Sequence, residues 1–186
     1  MDFFISHFGW DQTGPFPTVS GSITADDHQI SVRFDTREAE IRAKFSNHNE
    51  DVYTDSCVEF FCAFYEDDPR YINIEINPIG TTHFGMGEGR HGRVLQSAEN
   101  VRALGVHTCV DRSEASAHWT AAITIPFAFI ARLYGRETFS KDSVLRCNFY
   151  KCGDKLLSPH WGSWKPVGSE HPDFHRPEFF GDVVLL

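Results

Sequence analysis

The sequence predicts an all-β fold, an antiparallel two-sheet β-sandwich of jelly-roll type with one or two short helices. Three observations carry that prediction. Hydrophobicity alternates with a period of two along much of the chain. The alternating runs are short and separated by turn-forming residues. Aromatic residues reach 14%, with 17 Phe, which suits many packed short strands. A length of 186 residues fits one domain with a full core, so residues 1–186 are read as a single unit.

The elements follow in order. HQISVRF (28–34) puts Ile30, Val32 and Phe34 on one face, and AEIRAKF (39–45) alternates Ile41, Ala43 and Phe45 with charged residues. SCVEFFCAFY (56–65) aligns Ser56, Val58, Phe60, Cys62 and Phe64. After the turn EDDPR, YINIEIN (71–77) sets Ile72, Ile74 and Ile76 against Tyr71, Asn73, Glu75 and Asn77. Pairing Tyr65 with Tyr71 makes a hairpin in which Glu59 lies opposite Asn77 and diagonal to Glu75. VRALGVHTCV (101–110) and SAHWTAAITIP (116–126) read as another strand pair, with Trp119 in the core row. VLRCNFYKC (144–152) turns Leu145, Cys147 and Phe149 inward and Arg146, Asn148 and Tyr150 outward, and EFFGDVVLL (178–186) completes the set. PFAFIARLYG (126–135), with Pro first and Gly last, reads as a short helix; SAENVRAL (97–104) reads as a turn or two of another.

Composition narrows the function. A formal net charge of −9 with no basic stripe argues against a nucleic-acid partner. No apolar run approaches about 18 residues, so no membrane-spanning helix is expected. The start MDFFISHFGW has no basic segment of signal-peptide type, so the expected location is cytoplasmic, or exported if a leader has been removed. Cys57/Cys62 and Cys147/Cys152 are each five apart, roughly 16 Å along a strand, too far for a local bridge. With Cys109 the count is five, and an odd count at mostly core-like positions predicts reduced, structural thiols in a reducing compartment. No CxxC occurs, so zinc is not expected.

The polar row of YINIEIN, with Glu59 and the outward row of 144–152, offers phenols, amides and carboxylates. Such groups suit dense hydroxyl arrays, and sugars are such arrays. The plain alternative is an ordinary solvent-facing sheet. Glu59 and Glu75 also raise a glycoside hydrolase reading, which needs carboxyls about 5–5.5 Å apart for retention. Two neighbours on one sheet face see a ligand from one side only, which disfavours it. A protein-interaction sandwich is a third reading. GEGRHG (87–92) matches GxGxxG, but no βαβ alternation surrounds it, so it reads as a loop able to bring Arg90, His91 or Arg93 to a ligand. His171, Asp173, His175 and Arg176 group in HPDFHRPEFFG (171–181), which reads as a polar loop or a metal site.

VYTDSCVEFF (52–61), YINIEINPIGT (71–81), GEGRHGR (87–93), NFYKCGD (148–154) and DFHRPEFFG (173–181) resemble the family-9-like carbohydrate-binding domains, relatives of the family-9 module of xylanases. The resemblance runs through essentially the whole chain in order. It implies a sandwich of two antiparallel sheets, sugar binding on a concave sheet face, no catalysis, and association with a glycoside hydrolase in polysaccharide catabolism. In the family a terminal sugar sits between two rings. The resemblance places the first ring at Tyr53 and the second near Phe174, the family Glu at Glu59, and a sheet Gln at Tyr150. The family Arg falls near Glu75, so a carboxylate stands where a guanidinium is usual. The expected ligand set is Tyr53, Phe174 and Trp164 for stacking, Glu59, Glu75, Asn77, Asn148 and Tyr150 for hydroxyls, and Arg90, His175 and Arg176 at the rim. A structural calcium ion is a further implication. Its ligands have no mapped counterpart, and Glu66, Asp67 and Asp68 form only an acidic turn.

Overall fold

The computed structural model describes residues 1–10, 12–111 and 117–185. The chain forms β1 (Asp2–Ile5), β2 (Thr18–Ala25), β3 (Gln29–Glu38), β4 (Cys57–Ala63), β5 (Tyr71–Ile76), β6 (Thr82–Gly87) and β7 (Val94–Leu95). Helix α1 (Ala98–Arg102), β8 (His107–Asp111), β9 (Ala117–Pro126) and helix α2 (Phe127–Tyr134) follow. β10 (Val144–Cys152), β11 (Trp161–Ser163) and β12 (Gly181–Val184) close the chain. Every pairing is antiparallel. One sheet runs β1-β2-β3-β9-β8. The other runs β11-β10-β4-β5-β6-β7, with β12 also on β10. β12 takes Val144–Cys147 and β11 takes Tyr150–Cys152, so both cover the same edge of β10. The sandwich expected from the alternation is the fold observed.

The apolar rows of the two sheets make the core. Phe3 stacks on Phe149 with centroids 3.7 Å apart, and Phe60 lies 5.4 Å from Phe149. Trp119 is fully buried, and its indole N–H donates to Glu38 at 2.6 Å. Glu38 also pairs with buried Lys151 at 2.9 Å, an ionic clasp between the sheets. Each of these charges depends on the other, since an unpaired one would carry its full desolvation cost.

α2 starts after Pro126 and ends at Gly135, whose φ of +68° suits a residue without Cβ. Three expectations are corrected. Residues 39–45 are not a strand: the N–H groups of Lys44 and Phe45 both donate to the Asp55 carboxylate, and Arg42 bonds Ser56. The stretch 101–110 divides, because Ser97 caps α1 and the strand begins only at His107. The β4–β5 register differs by two residues, so Glu59 lies opposite Glu75 and Cys62 opposite Ile72. A shift of two keeps every side chain on its predicted face.

The outer face of β4, β5 and β10 is not solvent surface. Phe61, Tyr71 and Tyr150 pack there with Phe174 and Phe180 of the segment that precedes β12, as a second apolar cluster. Asn73, Glu75, Asn77, Glu59 and Asn148 are all buried. The acidic turn is also engaged: Asp67 pairs with Arg136 and Asp68 with Arg70. Two of its three carboxylates are therefore neutralised by guanidinium groups, and the turn does not fit a calcium site. Among the described residues no helix is long and apolar enough to cross a membrane.

Candidate functional site

A cavity of about 520 Å³ opens on this covered face, at the β11 end of the second sheet. Its floor is built by strand pairing. β4 contributes Glu59 and Phe61, β5 contributes Asn73 and Glu75, and β10 contributes Cys152. Period-two geometry sends these residues to one side while Val58, Phe60, Ile72 and Ile74 enter the core. The walls are Tyr53, from the 3-10 turn before β4, Trp161 of β11 and Phe174 of the segment before β12.

The floor is a hydrogen-bonded chain. Asn73 Nδ2 donates to Glu75 Oε1 at 2.9 Å, and Arg93 Nε donates to Asn73 Oδ1 at 2.9 Å. Arg93 also donates to the Tyr71 and Gly89 carbonyls, and its guanidinium lies 4.3 Å from the Tyr71 ring centroid. Gly85 makes room for this arrangement, since a Cβ there would sit 2.6 Å from Asn73 Oδ1 and 3.4 Å from Arg93 Nε. Glu75 Oε2 is buried and has no hydrogen-bond partner. The Cys152 thiol donates to Glu59 Oε1 at 2.8 Å.

Burial pushes the Glu59 carboxyl well above the usual carboxylate range, and the neighbouring Glu75 charge pushes it further. Burial raises Glu75 too, but His83, the Asn73 amide and Arg93 oppose that rise. Two like charges face to face cannot both ionise cheaply, so the pair favours sharing one proton, and Glu59 is the more strongly raised of the two carboxyls. Asp154 is raised by burial, against a hydrogen bond from Trp161 Nε1 at 2.7 Å. Burial and the nearby Arg93 and Arg90 hold His175 down to about 3, neutral, with Nδ1 2.9 Å from the Tyr71 hydroxyl. At the rim, Arg90 bridges to Asp173 at 2.9 Å and ties the 87–93 loop to the 170–176 segment.

Of the residues expected from sequence, the structure gathers Tyr53, Glu59, Glu75, Arg90, Phe174 and His175 around one cavity. It places five others elsewhere. Asn77 holds the 39–55 loop, donating to Phe45 O and Asp55. Asn148 makes two hydrogen bonds to the Lys165 backbone. Tyr150 lies beneath Phe174, stacked at 4.1 Å, and donates to its carbonyl at 3.2 Å. Trp164 packs edge-on to core Phe149. Arg176 pairs with Glu178 outside the cavity. Cavity residues outside the expected ligand set include Asn73, Arg93, His83, Asp154 and Trp161. Trp161 had a usable signal: Trp161 and Trp164 are three apart, so an extended chain sends them to opposite faces. Arg93 had a weaker one, as a named member of the Gly-rich loop.

The family model for carbohydrate-binding family 9 matches residues 3–185. The chain belongs to that family. A protein from Bacteroides uniformis, provisionally described as carbohydrate-binding, is similar over all of this chain and 86% of its own, at 31% identity and a TM-score of 0.87. A family-9 carbohydrate-binding module from Caldicellulosiruptor kristjanssonii, solved with cellotriose, aligns with all of this chain and 82% of its own. Its identity is 11% and its TM-score 0.61. The glucose complex of a family-9 module from that organism covers 95% of this chain and 80% of its own, at 11% identity and a TM-score of 0.58. At 11% identity these two neighbours share the fold. No curated protein matches the chain.

Proposed function

We propose that the cavity holds the end of an oligo- or polysaccharide, without chemical change to it. The observation that carries this reading is an unpartnered Glu75 Oε2 at the floor of a cavity walled by Tyr53, Trp161 and Phe174. Aromatic faces take the C–H faces of a sugar ring, and a carboxylate that lacks a donor takes its hydroxyls. A volume near 520 Å³ is within the range of small-ligand sites. The Arg90–Asp173 bridge across the rim favours a terminal ring over a threaded chain. Glu59 and Glu75 approach any ligand from below, so they do not flank a scissile bond as hydrolysis requires.

In this reading the domain serves polysaccharide breakdown by holding a sugar end, with a glycoside hydrolase as partner. Its free, mostly buried thiols fit a reducing compartment such as the cytoplasm. Titration with glucose and cello-oligosaccharides, followed by intrinsic fluorescence, tests the binding step. A saturable change that disappears in Trp161→Phe is expected. Absence of any saturable change with these and with mannose-, galactose- and xylose-based oligosaccharides would overturn the reading.

A further inference from the structure

Three ligand-type side chains converge behind the cavity floor. The β4–β10 register sets Cys57 opposite Cys152, and Glu59 follows two residues along β4 on the same face. The two Sγ atoms and a Glu59 carboxylate oxygen all lie within 4.8 Å of one another, and all three residues are buried. No other trio of His, Cys, Asp or Glu comes together in this way among the described residues. Cys152 and Glu59 line the cavity, which supplies an entry path, while Cys57 lies behind them.

We propose that Cys57, Cys152 and Glu59 bind one thiophilic divalent cation of the zinc type, with its fourth position open to the cavity. Zinc takes thiolate sulfur at about 2.3 Å and carboxylate oxygen at about 2.0–2.2 Å, and open sites commonly have three protein ligands. On a tetrahedron those bonds separate the ligand atoms by roughly 3.3–3.8 Å. The observed spacing meets this with ångström-scale side-chain movement. Two sulfur ligands select zinc over calcium or magnesium. Binding is balanced by loss to solvent of both thiol protons, and of the proton that Glu59 and Glu75 share, as the two metal–sulfur bonds and the metal–oxygen bond form. No CxxC announces the set, because strand register and not local spacing assembles it. Cys57 and Cys62 on β4 meet Cys152 and Cys147 on β10 only through antiparallel pairing. The inference does not rest on sugar binding, since an ion can occupy a cavity that takes no sugar.

The test is titration of the phosphine-reduced, full chain with zinc alone and with cobalt(II) alone. Expected are one equivalent of zinc and, with cobalt, a near-ultraviolet thiolate-to-metal charge-transfer band. X-ray absorption on the zinc-loaded, unmutated protein should show two sulfur neighbours, a result that needs no variant to fold. Glu59→Gln, which keeps the shape, and Cys152→Ser should each weaken uptake by at least about tenfold. Cys109→Ser, at an exposed thiol outside the cavity, should not. No zinc uptake, uptake without sulfur neighbours, or uptake unchanged in folded Cys152→Ser would overturn the site. So would a Cys57–Cys152 disulfide forming in air in a protein whose reduced form takes up no zinc, which would make the pair a redox element.

Discussion

Glu59 and Glu75 face each other directly across the β4–β5 ladder, 2% and 5% exposed, on the floor of one cavity. Opposed like charges are unfavourable in a sheet, and burial raises the cost. The pair is tolerated because Glu75 has Asn73, Arg93 and His83 around it and burial favours a shared proton between the two carboxyls.

That arrangement separates binding from stability at position 75. Glu75→Gln keeps an acceptor for Asn73 and removes a buried carboxyl from the opposed pair. Sugar affinity should fall by about 1.5–3 kcal/mol, the range for a charged hydrogen bond. The melting temperature should hold or rise, since the cost of burying an ionisable carboxyl is removed. Calorimetry and a melting curve on this variant read both. A lowered melting temperature with unchanged affinity would make Glu75 a structural residue.

The two ring positions should respond differently. Tyr53 is 38% exposed, so Tyr53→Ala should leave folding intact and weaken sugar binding by about 1–2 kcal/mol. Phe174 is 8% exposed and stacked on Tyr150, so Phe174→Ala should cost about 3 kcal/mol of stability as well. Urea melts of the two variants compare them directly. Equal stability losses would contradict the difference in packing.

Arg93 depends on its planar fork. It reaches Asn73, Tyr71 O and Gly89 O together while lying over the Tyr71 ring. Lysine keeps the charge but cannot make that set of contacts. Arg93→Lys should therefore lose most of the sugar affinity that Arg93→Ala loses, measured by calorimetry. Near-wild-type affinity in Arg93→Lys would reduce Arg93 to a point charge.

How much of this was legible in sequence follows from what each residue contacts. The sandwich, α2 and the faces of β4, β5 and β10 follow from period-two rows, which a register error of two residues cannot disturb. β1, β2 and β6 escaped for separate reasons: β1 spans only four residues, Gly21 interrupts the Val19–Ile23 row of β2, and Gly85 and Gly87 leave the second face of β6 without a polar row to alternate with Phe84 and Met86. The cavity was half legible. Glu59 and Glu75 stand on a readable strand face. Asn77, Asn148 and Tyr150 share that polar character but are used up by Phe45, Lys165 and Phe174, contacts made 32, 17 and 24 residues away. The covering segment before β12 has no periodicity, so nothing in the sequence showed that the polar face is roofed.

Acid should expose one buried imidazole. Burial and nearby Lys151 hold His160 down to about 4, against the Ser158 carbonyl and Glu38, which favour its charged form. Its folded value is below its unfolded value near 6.5, so the unfolded chain binds the proton first. Stability from this group is complete above about pH 6.5 and is lost as pH falls toward about 4, by up to ~3 kcal/mol. Urea melts of wild type and His160→Gln at pH 7 and pH 4.5 check this. The variant should lose less stability between the two pH values, and parallel losses would show that His160 does not titrate there.

The central claim is that the Glu75-floored cavity takes sugar. A glycan array probed side by side with the wild-type protein and Glu75→Gln tests it most directly. The account predicts that the wild type retains a defined set of glycans sharing a terminal sugar and that Glu75→Gln loses that set while remaining folded. An empty array for the wild type, or the same glycans bound equally by both proteins, would contradict it.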